Sequence, residues 1–371
     1  MNAPFKPAAP PEWNLADLYL GRDDPRIETD LAAAKAANDE LASLEGMFLE
    51  ARKEPQRLGV LLDRGIALYE RATNGLWGVG AYAALAASVA RDDPAWAKFE
   101  ADLRARSSQI AAESLFFTLE LNQLEDSEIA KALEAHPASA RWAPWLRRVR
   151  LSRPHELSPE LERFIVDKAP AVANWVRLWD ETLAKLTAPV GDESLTLAEA
   201  LNRLSDPDVA RRKTAADGLA KALEERVSTQ ALVLNTLAFE KQVEDRWRRY
   251  ETPAQSRHLA NEVDADAVDA LEQAVVEAYP RLSHRYYALK AKVMGLEVLD
   301  YWDRNAPLTA AAPRAYAWDE AKGMVLESFQ DLAPKFADAA RVFFDKPWID
   351  AKPRPGKQSG AFAHPVTADR H

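Results

Sequence analysis

Histidine offers this chain little metal or acid–base chemistry, because only six histidines occur in its 371 residues. The string H-E-x-x-H would place two imidazoles on one helix face to bind zinc, with a glutamate between them to activate water. His155-Glu156 begins such a string, but Pro159 stands where the second histidine is required. We interpret His155 as part of a loop before a helix start at Ser158. No residue of the chain is predicted to bind a metal or to act in catalysis.

Other catalytic classes are disfavoured by composition. The chain has no cysteine, which excludes disulfides, thiolate zinc sites, iron–sulfur clusters and cysteine nucleophiles. It contains no G-x-S-x-G string, which is the common serine-hydrolase motif. With only 13 glycines, a Rossmann or P-loop enzyme is also disfavoured, because both fold types need glycine-rich phosphate loops.

Residues 246–250, with the sequence RWRRY, could stack on nucleobases while neutralising phosphates. The run is isolated, however, and the formal net charge of the chain is −10. A strongly negative chain is poorly suited to a nucleic-acid partner. We therefore predict no nucleic-acid binding.

The C-terminal part of the sequence places a basic, proline-stiffened turn, residues 352–357, ahead of a short run of small residues. Gly360 and Ala361 would let another backbone approach closely, as happens when an extended peptide is added to the edge of a sheet. The alternative is a tightly packed loop and strand without a ligand, and the spacing alone leaves both open. The candidate substrate-binding residues are Ser359, Gly360, Ala361, Phe362, Ala363 and His364.

The elements that must position this segment are predicted to be mostly helices. At a helix start, a capping side chain accepts a hydrogen bond from a free N–H group, and a following proline has no N–H that needs a partner. Thr196 with Glu199 predicts a capping box. The cap-and-proline pattern occurs at Asp24-Pro25, Asp93-Pro94, Ser158-Pro159 and Asp206-Pro207. We predict a mainly α fold, a multi-helix bundle with a small β element near the C-terminus.

Two long amphipathic helices are expected from apolar residues spaced by three or four. One follows Asp93 and continues to Leu121. The other begins near Asp264, is kinked at Pro280 and stops at Gly295. Sequence patterns typical of β-strands occur late in the chain, in residues 314–318, 348–350 and 360–364.

Pro189 and Gly191 interrupt two helical regions, and we place a domain boundary there, between residues 1–190 and 191–371. The proline-containing N-terminal residues 1–11 include no apolar stretch of signal-peptide length, and no segment approaches the ~20 apolar residues of a membrane span. We expect a soluble, cytoplasmic protein with no membrane partner.

Three separated stretches of the sequence carry a family resemblance. Residues 13–19, WNLADLY, are similar to an opening W-x-L-x-D-L-Y pattern. A second stretch runs from residues 256–262, SRHLANE, to residues 301–308, YWDRNAPL. Residues 356–362, GKQSGAF, are similar to G-K-x-S-G-A-[YF]. In this order, the three stretches resemble the oligoendopeptidase F family, cytoplasmic zinc metallopeptidases related to thimet oligopeptidase.

The resemblance implies a mostly helical bowl around a deep peptide channel, with residues 1–190 as an N-terminal helical domain and residues 191–371 as the first part of a peptidase-like domain. It also implies that the strand matching Ser359 to Ala363 lines the channel and pairs with the backbone of short peptide substrates. This implication agrees with the small-residue edge inferred from the residues themselves.

In the family, a zinc helix with H-E-x-x-H follows this strand, and a glutamate ligand and oxyanion-stabilising tyrosines come later. No residue of this chain matches those positions. We expect the N-terminal two-thirds or so of such a peptidase, truncated or divided between two chains. Zinc is the cofactor of the full-length family, but none is expected for this chain alone, which is expected to be inactive without a complementary C-terminal chain. The alternative is a non-catalytic helical peptide-binding or scaffold protein.

Overall fold

The structure is a computed structural model that describes residues 10–308, 316–352, 354, 356–357 and 360–367. These residues form helices α1–α16 and a two-stranded antiparallel sheet, so the predicted mainly α class is confirmed. The chain divides into two compact units, Met1–Ala143 with Pro313–His371 and Pro144–Ala312. No helix within the described ranges is both long and apolar enough to cross a membrane.

The first unit is built on α3, a 34-residue helix that packs against α1, α4 and α6. Its apolar residues Leu58, Leu62 and Ile66 are buried, which fixes α3 as the central element of this unit. The helices of the unit are α1 (Pro25–Ala42), α2 (Met47–Glu50), α3 (Pro55–Ser88), α4 (Pro94–Ala112), α5 (Leu115–Gln123), α6 (Asp126–Ala135), α15 (Trp318–Leu332) and α16 (Pro334–Asp345).

A second part of this core joins residues that are far apart in the sequence. Leu18 and Tyr19 follow a short 3-10 helix, Leu15–Asp17, and pack with Val79 of α3 and Leu103 of α4. Val366, near the end of the described chain, is buried in the same cluster. Residues near the start and near the end of the described chain are therefore held in one hydrophobic core.

The second unit contains the sheet. The strands β1 (Thr187–Val190) and β2 (Glu193–Thr196) pair antiparallel through a two-residue turn in which Gly191 has a φ of 61°, as a type II′ hairpin requires. The hairpin packs on α9 and α10 around Leu186 and Ala188. The helices of the unit are α7 (Ala143–Arg150), α8 (Pro159–Ala184), α9 (Leu197–Arg203), α10 (Val209–Glu224), α11 (Val227–Arg248), α12 (Gln255–Ala260), α13 (Ala265–Ala278) and α14 (Ser283–Val293).

A buried ion pair lies inside the second unit. The Arg212 guanidinium, on α10, donates to the Asp303 carboxylate through Nη2 at 2.6 Å and Nε at 3.1 Å, and both side chains are buried. Asp303 belongs to a 3-10 helix, Tyr301–Asp303. Nearby, Lys290 of α14 is buried and donates to the backbone oxygen of Arg304 at 2.7 Å. Burial, and then the charge of Arg212, lower the pKa of Lys290, although Asp303 opposes this shift.

Several sequence predictions hold at the level of single residues. Helices begin at the proline of the Asp24, Asp93 and Ser158 signals, and Thr196 and Glu199 form the predicted capping box. The fourth helix start, predicted at Asp206-Pro207, lies two residues later in the structure, because Asp208 caps α10. The Asp208 carboxylate accepts hydrogen bonds from the N–H groups of Ala210 and Arg211.

Neither of the two long helices predicted from the sequence is continuous in the structure. The first breaks between α4 and α5, where the hydroxyl of Ser114 donates to the Ala111 carbonyl and competes with the helix hydrogen bonds. The second is interrupted at residues 279–282, since Pro280 has no N–H to continue the helix. Its predicted stop is confirmed: Gly295 has a φ of 68°, and the N–H of Leu296 donates to the Ala291 carbonyl, which completes a Schellman motif.

The β element lies in the middle of the sequence, at residues 187–196, rather than near the C-terminus. Residues 348–350 and 360–364 form no regular strand, and residues 314 and 315 are outside the described part. The turn that signalled a domain break is thus the turn of a hairpin within the second unit. The division into residues 1–190 and 191–371 stays a prediction.

Candidate functional site

The predicted substrate-binding residues lie on the surface of the first unit. Ser359 is outside the described residues, whereas Gly360, Ala361, Phe362 and Ala363 are exposed and His364 is half-buried. Gly360 has a φ of 104°, a conformation that side chains with a Cβ rarely adopt. We name residues 360–364 the small-residue segment.

The backbone of this segment has unused hydrogen-bonding capacity. In the part of the chain that the structure describes, the N–H and C=O groups of Ala361, Phe362 and Ala363 have no hydrogen-bond partner. Exposed, unpaired backbone groups are what an added extended peptide requires. The segment can therefore serve as a pairing edge although it is not itself a regular strand.

The turn before the segment is closed around Asp350, a nearly fully buried carboxylate. Arg354 donates to both of its oxygens, at 2.9 and 2.7 Å, and the Lys357 ammonium lies 2.7 Å from Oδ1. Lys357 also donates to the backbone oxygens of Asp350, at 3.0 Å, and Lys352, at 3.3 Å. Burial raises the pKa of Asp350, but the hydrogen bonds from Arg354 and Lys357 outweigh burial and hold this pKa below its usual value.

The N-terminal stretch crosses this turn and fixes it from the other side. The Trp13 N–H approaches Oδ2 of Asp350 at 3.4 Å, and the Asn14 N–H donates to the Pro347 carbonyl at 2.8 Å. The Trp13 ring meets the ring of Phe362 edge to face, with centroids 6.4 Å apart. The first and third of the three sequence stretches are therefore in direct contact.

The far end of the segment is attached to α3. The indole N–H of Trp77 donates to the Pro365 carbonyl at 3.2 Å, and the Trp77 ring stacks on the His364 ring with centroids 5.7 Å apart. His364 Nδ1 lies 2.8 Å from the same carbonyl oxygen. Together with the buried Val366, these contacts hold the segment at both ends and leave its middle exposed.

A groove of about 590 Å³ opens next to this attachment, between α3 and α4. Trp77, Gly80 and Leu103 line it, and His364 of the small-residue segment stands at its edge. A cavity of this size and apolar character is typical of small-ligand or side-chain binding.

The described residues offer zinc no site. They contain no cluster of three or more histidine, aspartate or glutamate side chains that could hold a metal ion. His155 is buried, stacks on Tyr250 and lies 2.9 Å from the Arg248 carbonyl through Nδ1, so it has a structural role as the sequence indicated. His284 is exposed on α14.

Within the basic aromatic run of residues 246–250, Arg248 and Tyr250 make contacts inside the second unit, whereas Trp247 is exposed. Arg248 forms a bidentate ion pair with Glu162 at 2.7 and 2.9 Å and also bonds Glu244 at 2.7 Å. These partners raise the pKa of Arg248, chiefly through the hydrogen bonds that its guanidinium donates to Glu162. With Tyr250 stacked on His155, the run ties α11 to the start of α8.

Sequence reasoning missed the residues that support the small-residue segment. Asp350 has a local signal, since Arg354 and Lys357 follow it at four and seven residues, but its contact with Trp13 spans 337 residues. Trp77 lies within a helix rich in alanine and glycine and has no local signal that distinguishes it from a core residue. The groove depends on the approach of α3 to α4 and has no sequence signal.

Comparison with protein families matches residues 120–187 to the family described as Oligopeptidase F. Group B oligopeptidase PepB of Streptococcus agalactiae is 24% identical over 361 residues, which is 95% of this chain and 58% of that protein. Oligopeptidase PepF of Bacillus subtilis is 21% identical over 263 residues, 69% of this chain and 39% of that protein. The matched part of the chain thus spans 58% of the length of the first relative and 39% of the length of the second.

Among solved structures, oligoendopeptidase-F from Enterococcus faecium superposes with a TM-score of 0.64 at 18% identity, covering 89% of this chain and 69% of the other. At this identity the likeness concerns the fold. The fold is therefore shared with a known structure over nearly the whole chain.

Proposed function

The chain belongs to the oligoendopeptidase F family, and from this premise we propose that its small-residue segment binds short peptides by pairing with their backbones. The relatives are named oligopeptidases, which makes short peptides the expected ligands. The location we propose for this activity is the cytoplasm, and cell fractionation would test it.

The exposed, unpaired backbone in the middle of the segment is the observation that supports the proposal. Ala361, Phe362 and Ala363 expose backbone groups that have no partner among the described residues, while both flanks are held firmly. Asp350 closes the turn on one side and Trp77 holds Pro365 on the other. A strand-like edge that is already ordered loses little entropy when a peptide pairs with it.

Isothermal titration calorimetry with a capped hexa-alanine peptide tests this proposal. Ala363→Pro removes one backbone donor, and we expect about fivefold to tenfold weaker affinity, the value of one hydrogen bond. Ala317→Pro is the matched control, because Ala317 has a φ of −67° that suits proline and lies outside the segment. Equal affinity of both variants and the unchanged protein would contradict backbone pairing at Ala363.

Within this proposal, the residues of this chain bind and orient the peptide but do not hydrolyse it alone. Zinc, when bound in this family, activates the attacking water, and the described residues show no ligand set that fits it. We expect no turnover of a quenched fluorescent peptide by the purified chain, with or without added zinc. Chelator-sensitive turnover by the pure protein would overturn this expectation.

We further propose that the hydrolytic residues come from polypeptide outside these 371 residues, which would make a complementary C-terminal chain the partner. The relatives are longer, and α13 has apolar residues such as Leu271, Val275 and Val276 exposed. Reading the coding DNA past the codon for His371 tests the idea, and an in-frame H-E-x-x-H would support it. A stop codon with no complementary zinc-bearing chain encoded nearby would instead favour the non-catalytic binding protein.

A further inference from the structure

We propose that the groove between α3 and α4 is a specificity pocket that receives an apolar side chain of a peptide lying along the small-residue segment. This inference rests on the proposed function, because the peptide must first pair with the segment. The groove, at about 590 Å³, has room for a large side chain such as phenylalanine together with water.

The groove lies beside the C-terminal end of the segment. His364 is at once the last residue of the segment and part of the groove wall. Trp77 connects the two, since its ring stacks on His364 and its indole N–H holds the Pro365 carbonyl. A peptide that runs along residues 360–364 therefore passes the mouth of the groove at His364.

The walls of the groove are mostly apolar. Leu76, Trp77 and Leu103 supply apolar surface, which would be removed from water by an apolar side chain. The charged pair that lines the groove, Glu100 and Arg104, is joined by an ion pair of 3.0 Å. Because these charges offset each other, the groove favours an uncharged apolar side chain over a charged one.

Asn38 also lines the groove and is only 1% exposed. Its amide N–H₂ donates to the Ile110 carbonyl at 2.9 Å and to Glu113 at 3.3 Å. Its Oδ1 is buried and has no hydrogen-bond partner within the described part of the chain. An unpaired buried acceptor is costly, and a donor from a bound peptide or an accompanying water would relieve that cost.

Gly80 lines the groove from the C-terminal half of α3. Glycine destabilises a helix interior relative to alanine. Close packing requires the glycines at positions 65 and 75, where a Cβ would lie 2.7 Å from Phe48 and 2.9 Å from Ala34, respectively. A Cβ at Gly80 would meet no heavy atom of the described residues within 4 Å. Packing does not require glycine there, and its absent side chain keeps the groove open.

The experiment compares two capped hexapeptides, hexa-alanine and the same peptide with one central phenylalanine, by calorimetry on the full chain. Burial of the ring predicts that the phenylalanine peptide binds about tenfold or more tightly. Gly80→Leu places a side chain in the groove and should reduce this ratio to about one. Gly323→Leu is the matched control, because Gly323 in α15 also has open space around its Cβ and is not part of the groove.

A second variant, Ser108→Leu, fills the groove from the exposed face of α4 and keeps the test decisive should Gly80→Leu unfold. Loss of the ratio in the groove variants but not in Gly323→Leu supports the inference. Equal affinity of the unchanged protein for both peptides overturns the groove as a pocket and leaves backbone pairing standing. Failure of the unchanged protein to bind either peptide overturns the proposed function and this inference with it.

Discussion

Two buried aspartates, Asp350 in the first unit and Asp303 in the second, hold cations in different ways. Arg354 and Lys357, the partners of Asp350, follow it within seven residues and keep part of their side chains in water. Arg212, the partner of Asp303, lies 91 residues away and is itself only 1% exposed. The first arrangement shapes a local turn, and the second joins α10 to the distant Tyr301–Asp303 helix.

Under the proposed function, the Asp303 ion pair only stabilises the interior of its unit, whereas the Asp350 cluster also positions the segment that binds peptide. Arg212 also donates to the backbone oxygens of Asp206 and Pro207, at 2.8 and 2.9 Å, so its guanidinium is held from several sides in the interior. The Asp350 cluster instead lies directly before the exposed small-residue segment. We therefore expect loss of Asp303 to act mainly on folding and loss of Asp350 to act on folding and peptide binding together.

The largest effect is expected for Asp303→Ala. It leaves Arg212 buried without its carboxylate, and breaking a buried pair in this way costs about 3–5 kcal/mol. Urea denaturation gives the change in the free energy of unfolding, and hydrogen exchange should show the lost protection in α10. Asp217→Ala is the control, since Asp217 pairs with Lys213 on the exposed side of the same helix. Equal effects of the two variants would contradict the role of burial.

A smaller effect is expected for Asp350→Ala. The cations that it releases reach water, so we expect a cost of about 2 kcal/mol, the range for hydrogen bonds to a charged group. Peptide affinity in calorimetry should fall at the same time, because the turn before the segment loses its centre. Asp338→Ala removes an exposed ion pair with Arg341 and should change neither quantity measurably. Full peptide affinity in folded Asp350→Ala would show that the cluster does not position the segment.

Lowering the pH should reduce the contribution of Asp350 to the free energy of unfolding by no more than about 2 kcal/mol, the cost expected for Asp350→Ala. Because the folded pKa lies below the usual value of 3.8, the stabilising effect is present above that value and is lost as the pH falls through the folded pKa. The difference in unfolding free energy between the unchanged protein and Asp350→Ala should therefore be constant near neutral pH and shrink below pH 3.8. A difference that grows on acidification would contradict this sign.

The smallest effect is expected for Leu271→Ala on α13. Leu271 is 65% exposed, so its truncation should change the unfolding free energy of this chain by less than about 0.5 kcal/mol. Leu62→Ala, at a fully buried site on α3, should cost about 2–5 kcal/mol in the same measurement. A large effect at Leu271 would show that α13 is packed in solution, for example in a self-associated form.

Local signals predicted local structure well and distant contacts poorly. Asp24 and Asp93 cap their helices because a cap involves only the next few residues. The same reasoning missed the break at Ser114, since an apolar pattern of helical period continues across it. Mainly α architecture followed from many such short-range signals.

For the candidate site, the sequence identified the small-residue segment but not what holds it. Lys357 reads as a free cation available to a ligand, yet the Asp350 carboxylate and two backbone carbonyls take up its ammonium group. Likewise, Gly80 reads as one of several helix glycines, and its difference from those at 65 and 75 appears only once neighbouring helices are in place. Contacts across hundreds of residues carry no periodic signal.

The hydrogen bond between Trp13 and Asp350 also sets a condition on how the protein is made. Its partners are separated by 337 residues, and bacterial and eukaryotic ribosomes add about 5–20 residues per second. Roughly 20–70 s therefore pass between the synthesis of Trp13 and the synthesis of the C-terminal segment that completes the core of the first unit at Val366. Throughout that interval Leu18 and Tyr19 lack Val366 as a neighbour, so we expect the nascent chain to expose apolar surface that the folded first unit buries.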